Sequence, residues 1–259
     1  MRDPQSSTYS NSAGSKGVLT YTKNTLYGNF ELSGGRDFKI ESLQGLTHVV
    51  WAELDQTVWN DELQPVPVEP DTEDLPHMRM EELMAKGRAD NETIVEYSIT
   101  VYYTKDFKAA TADPKTFIDQ VIAETNQGYI NSKVPIRARL HCVLESDVSD
   151  GLDASTTLST FKQSQYNLNR VRKSADATIL LVNQYSSRSI CGVNYFNTVS
   201  SGNTVGTVRK GCALGYYSFG HEVAHGFGLA HDRRVASSSS NKYAYGNIIK
   251  VNLSILKLL

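Results

Sequence analysis

Cysteine is scarce. Three occur in 259 residues, at Cys142, Cys191 and Cys212. A low, odd count excludes a disulfide-built framework. Long apolar runs are absent too; the run at 179–182 is typical, so no transmembrane helix is expected. The first residues, Met1-Arg2-Asp3-Pro4-Gln5-Ser6-Ser7, contain no apolar core of a secretory signal. The formal net charge is only -2, which excludes the strong basic or acidic bias of nucleic-acid and anionic-membrane binders. Methionine is sparse: the four lie at positions 1, 78, 80 and 84. No internal repeat is present.

Against this background one stretch stands out: His221-Glu222-Val223-Ala224-His225-Gly226-Phe227-Gly228-Leu229-Ala230-His231-Asp232. It reads H-E-x-x-H-x-x-G-x-x-H-D. Chance would produce it in a chain this long on the order of one time in a million at ordinary composition. On a helix that turns about 100° per residue, His221 and His225 lie roughly 40° apart, one turn above each other. Both imidazoles can then reach one cation, with Glu222 on the flank of the same face. Phe219, Val223 and Phe227 fall on the opposite face, which is expected to bury. Gly228 lies where the helix should stop, because glycine takes positive φ at little cost. The chain can then turn back and offer His231 as a third ligand. Three neutral nitrogens leave one position open for water, the catalytic rather than the structural zinc arrangement.

Elsewhere the chain divides by composition. Residues 1–20 are rich in Ser, Asn and Gly and are expected to be disordered. Residues 21–61 show short strand-like alternations separated by glycines, and a small antiparallel sheet is expected. Residues 62–92 form an acidic, Pro-rich linker followed by a short helix over 78–88. Asn91-Glu92-Thr93 is a glycosylation sequon at the boundary, and Arg88 is a weak candidate processing site. From residue 93 the pattern is α/β. Strands are expected over 94–103, 134–144 and 177–182, with extended pieces at 189–195 and 204–208. A helix begins at the Asp113-Pro114 cap and carries Phe117, Ile118, Val121 and Ile122. A second helix stripe is Leu158, Phe161, Leu168 and Val171. The expected fold class is α/β: a twisted mixed sheet with long helices, preceded by the small β-rich region.

The His221–Asp232 pattern resembles that of the metzincin zinc endopeptidases. Further likenesses are Tyr102-Tyr103-Thr104, Asn126 to Ser132 with Val134-Pro135-Ile136, Ala175 to Val182, and Tyr243-Ala244-Tyr245-Gly246. Together these resemble the peptidyl-aspartate metalloendopeptidase group of reprolysin-like enzymes over residues 93–246. The resemblance implies one catalytic zinc ion held by His221, His225 and His231. It implies Glu222 as the general base acting on water at the zinc, and Asp232 as a support behind the ligands, with Gly228 shaping the turn. It also implies protein or peptide substrates, an extracellular location and an aspartate preference. Residues 21–61 resemble the tail of a propeptide, or form a structural extra domain. Relatives pair the cysteines equivalent to Cys191 and Cys212; the alternative is two buried thiols. A disulfide would steady an edge strand to which a substrate peptide adds. Cys142 is left over. His48, His77 and His141 are expected to be ordinary surface or core residues.

The family carries a Met-containing turn beneath the zinc, and no Met follows His231. The expectation is a catalytic domain over 93–259 lacking that turn and the C-terminal part of the family pattern. The leading reading is a zinc metalloendopeptidase. The alternative is an inactive relative that binds zinc and substrates or inhibitors.

Overall fold

The structure is a computed structural model. It describes residues 5–12, 14–33, 36–43, 49–53, 66–67, 94–166, 175–196, 198 and 204–231. The short helix over 78–88, the sequon, His48, His77, Asp232 and the 243–246 segment lie outside the described residues.

The N-terminal part is an antiparallel meander of five strands in sequence order: β1 (Gln5–Ser10), β2 (Lys16–Tyr21), β3 (Leu26–Leu32), β4 (Arg36–Ser42) and β5 (Val49–Glu53). Where disorder is expected over 1–20, Gln5–Ser10 and Lys16–Tyr21 are instead strands; residues 1–4 and 13 lie outside the described residues. All six β1 side chains are exposed, so no burial pattern announces the strand. It forms through its backbone ladder to β2, from Gln5↔Tyr21 to Ser10↔Lys16, with a Ser6–Thr20 hydroxyl bond of 2.6 Å.

The second sheet has six strands in the order β6-β10-β11-β9-β7-β8: β6 (Val66–Pro67), β7 (Val95–Tyr103), β8 (Ile136–Glu145), β9 (Ala177–Val182), β10 (Gly192–Phe196) and β11 (Thr204–Arg209). Strands β8, β7, β9 and β11 run parallel, and β10 is antiparallel to β11. Within the expected linker, Val66–Pro67 pairs in parallel with β10, Tyr195 opposite Val66 and Phe196 opposite Pro67.

Helices cover both faces of this mixed sheet. They are α1 (Lys105–Ala109), α2 (Pro114–Asn131), α3 (Ala154–Tyr166), α4 (Lys210–Ala213) and α5 (Ser218–Gly226). Strand β9 shows why its run is continuously apolar. Ile179 and Leu181 point into one core with Phe117, Val121, Phe219 and Val223. Leu180 and Val182 point into the other with Leu158 and Phe161. A strand buried on both faces carries apolar residues at every position.

Helix α2 starts as its sequence requires. The Asp113 carboxylate accepts from the N–H groups of Lys115 and Thr116, and Pro114 occupies the first turn, where its missing N–H costs nothing. The helix is buried on two sides, because the meander packs on it opposite the second sheet. Phe117 meets the Tyr27 ring edge-on at 5.4 Å, and Gln120 Nε2 donates to the Val18 carbonyl at 3.0 Å. This double burial explains the polar Gln120 and Glu124 on the inward face of a core helix.

Candidate metal centre

Helix α5 presents His221 and His225 one turn apart, as the spacing requires. The helix stops in a pair of hydrogen bonds made around Gly228: Leu229 N–H donates to the Ala224 carbonyl at 3.0 Å, and Gly228 N–H to the His225 carbonyl at 2.9 Å. Gly228 has φ 87°, the left-handed conformation this ending demands. The chain reverses there and returns His231. The three ring nitrogens converge: Nε2 of His231 lies 3.2 Å from Nε2 of His221 and 3.1 Å from Nε2 of His225.

This donor set fits a zinc ion. Bonds of about 2.0–2.1 Å to nitrogen at tetrahedral angles require ligand atoms roughly 3.3 Å apart. His225 Nδ1 donates to the Leu229 carbonyl at 2.6 Å, which leaves Nε2 as the acceptor facing the cluster. The turn that ends the helix thus also orients a ring, a role for Leu229 that sequence reasoning missed. Burial, followed by the neighbouring His221, holds the His225 imidazole well below its ordinary pKa and keeps it neutral. Among the described residues, this is the only group of His, Cys, Asp or Glu that could hold a metal. His141 is an exposed residue of β8 and is not part of this group.

Glu222 is buried, and its side chain lies against Gly192 of β10. Asn194, two residues along β10, donates to the Glu222 carbonyl at 2.6 Å. Strand β10 is therefore fixed to the helix that carries the histidines. Its start is fixed again by the disulfide Cys191–Cys212, which joins it to α4; Cys142 is free. On the far side Phe219 and Val223 enter the core, and Phe227 meets the Tyr97 ring at 4.9 Å. Gly226 is required by packing: a Cβ there would sit 2.2 Å from Thr204 Cγ2 of β11.

Two further elements escaped the sequence reading. Tyr217, the residue before α5, has φ 58°, a left-handed conformation rare for a residue with a side chain. Glu124 of α2 reaches this corner, accepting from Gly215 N–H at 3.0 and 2.9 Å and from Tyr217 N–H at 3.2 Å. The one hint was an acid at a position that continues the apolar stripe of Phe117 and Val121.

A helix-turn carrying three converging imidazoles, laid beside the edge of a mixed sheet, defines a candidate metal-dependent hydrolase. Residues 94–249 match the Reprolysin_5 family, described as metallo-peptidase family M12, and the chain belongs to this family. It is 27% identical over 239 residues to a peptidyl-Asp metalloendopeptidase of Stenotrophomonas maltophilia (strain K279a), covering 89% of the chain and 54% of the relative. A peptidyl-Asp metalloendopeptidase of Xanthomonas campestris pv. campestris is 28% identical over 139 residues, 51% of the chain and 32% of the relative. The chain thus spans about half the length of the first of these relatives, or less. The fold is similar to that in the crystal structure of metalloproteinase-II from Bacteroides fragilis, with a TM-score of 0.51 at 9% identity, over 84% of this chain and 72% of that one.

Proposed function

We propose that this chain is a zinc-dependent metalloendopeptidase that hydrolyses peptide bonds in proteins. The observation that carries the reading is the convergence of the His221, His225 and His231 ring nitrogens to 3.1–3.2 Å in a chain of family M12. These three residues would hold the ion. When bound, zinc would supply Lewis acidity to the scissile carbonyl and to adjacent water, whose pKa it would lower toward roughly 7. Glu222 is the general base. It takes the proton of the attacking water and passes it to the leaving amine, so atoms balance over the cycle. The bond from Nδ1 to the Leu229 carbonyl keeps His225 in the ligating tautomer. Asp232 takes the supporting role that the family resemblance implies for it.

The peptide substrate adds along β10, whose outer edge in this structure pairs with Val66–Pro67. A peptide binding there displaces β6, which supports reading the region before residue 93 as a prosegment. The relatives' names support cleavage beside aspartate. The Cys191–Cys212 bond suits an oxidising compartment and supports an extracellular location.

The test measures zinc content of the purified chain together with cleavage of a quenched casein substrate, with and without a chelator. The expected result is one zinc per chain and chelator-sensitive cleavage. Glu222→Gln should keep the zinc and lose the cleavage. Zinc without cleavage in the wild type would instead favour a zinc-binding protein without turnover, and no zinc would overturn both readings.

A further inference from the structure

We propose that Glu124 is a positioning residue of the metal site: its buried carboxyl group, acting through Gly215 and Tyr217, sets the first turn of α5 and hence the position of His221. The inference rests on the reading of His221, His225 and His231 as zinc ligands.

The path is short and made of direct bonds. Glu124 accepts from the N–H groups of Gly215 and Tyr217. The Tyr217 carbonyl in turn accepts from His221 N–H at 3.0 Å, the first hydrogen bond of the histidine-bearing helix. Both loop residues are in left-handed conformation, Gly215 at φ 90° and Tyr217 at φ 58°. For a tyrosine this backbone persists only where its surroundings hold it. Helix α5 has no side-chain cap of its own at Tyr217. The acceptors that fix this corner come from α2, more than ninety positions earlier in the chain.

Two neighbouring contacts show that the corner is fitted rather than loosely covered. Thr125, next to Glu124, packs on Gly220 of α5 so closely that a Cβ there would lie 3.1 Å from Thr125 Cγ2. From the meander, Asn29 Nδ2 donates to the Tyr217 hydroxyl at 3.4 Å, and Gln120, one turn before Glu124, donates to Asn29 Oδ1 at 3.3 Å. One face of α2 therefore grips the meander with Gln120 and the metal helix with Glu124 and Thr125. The Glu124 carboxyl group bonds to backbone N–H groups of Gly215 and Tyr217, so its effect on the site passes through backbone position.

The experiment measures zinc affinity by competition with a chromophoric chelator, alongside the melting temperature of the zinc-free protein. Three full-chain variants are compared with wild type. Glu124→Leu keeps the bulk and removes both acceptors, and should weaken zinc binding about tenfold or more. Glu124→Asp withdraws the acceptor by one methylene and should weaken it in the same direction; it carries the test if the Leu variant does not fold. Glu124→Gln keeps one carbonyl oxygen facing both N–H groups, and should bind zinc within about threefold of wild type. A folded Leu or Asp variant with wild-type affinity and only a lowered melting temperature would reduce Glu124 to a structural role and overturn the proposal. So would a Gln variant as weak as the Leu variant. Absence of zinc from the wild type would instead show that the metal-site reading itself had failed.

Discussion

Gly192 of β10 lies directly against Glu222 of α5: a Cβ at position 192 would stand 2.7 Å from Glu222 Cγ and 2.8 Å from its Oε1. The same Cβ would meet the Thr207 carbonyl at 2.8 Å, so the strand cannot retreat to make room. Gly192→Ala should therefore move the Glu222 side chain and leave the histidine turn in place. Misplacing a reacting group by about 1 Å can cost on the order of a hundredfold in rate. The expected outcome is cleavage reduced about 10- to 100-fold at unchanged zinc content. Full activity in Gly192→Ala would contradict Glu222 as the general base in this position.

Helix α5 and strand β11 are spaced by the missing side chain of Gly226. Gly226→Ala should destabilise the protein by about 1–3 kcal/mol, because its methyl group would overlap Thr204 Cγ2. Alanine's better helix propensity, at most about 1 kcal/mol, is not enough to offset that overlap. Thr204→Ser removes the clashing methyl. Combined with Gly226→Ala, it should recover part of the loss as a coupling energy of about 0.5–3 kcal/mol. Denaturant unfolding of the two single variants and the double variant checks this; strict additivity would contradict the contact.

Burial pushes the Glu124 carboxyl up to about 8, against the opposing pull of the Gly215 and Tyr217 N–H groups and of Lys39, while Asp37 adds to the rise. The folded chain then keeps a proton that the unfolded chain releases at ordinary carboxylate pH. Stability from this group is therefore highest in acid, falls as pH climbs from about 4.5 to about 8, and is flat above that. The slope is at most about 1.4 kcal/mol per pH unit. Unfolding free energies of wild type and Glu124→Gln at about pH 5.5 and about pH 8 isolate the effect, since every other group titrates alike in both. The wild type should lose more stability over that interval than the Gln variant. Equal losses would mean the carboxyl is already ionised at the lower pH.

The histidine turn could be read from residue order because it is local. The i, i+4 spacing puts His221 and His225 on one face, and a glycine is needed where Gly228 takes positive φ. Strand β9 was legible for a related reason: its continuous apolar run matches burial on both faces. Strand β1 was not, since its side chains are all exposed and backbone pairing alone forms it. The two-residue pairing of Val66–Pro67 on β10 carries no pattern at all.

The sequence by itself determined the order of the main strands and helices after residue 93, the helix carrying two histidines, and the stop that returns the third. Only the tertiary structure decided what stands behind them. Gly192 against Glu222, Asn194 on the Glu222 carbonyl, Thr204 against Gly226, and Glu124 on the corner at Tyr217 each join residues about 20 to 90 positions apart. A helix or turn is written in neighbouring residues because its hydrogen bonds close within a few positions. A close approach between elements is set by how whole faces pack, and single residue types do not record which partner they will meet.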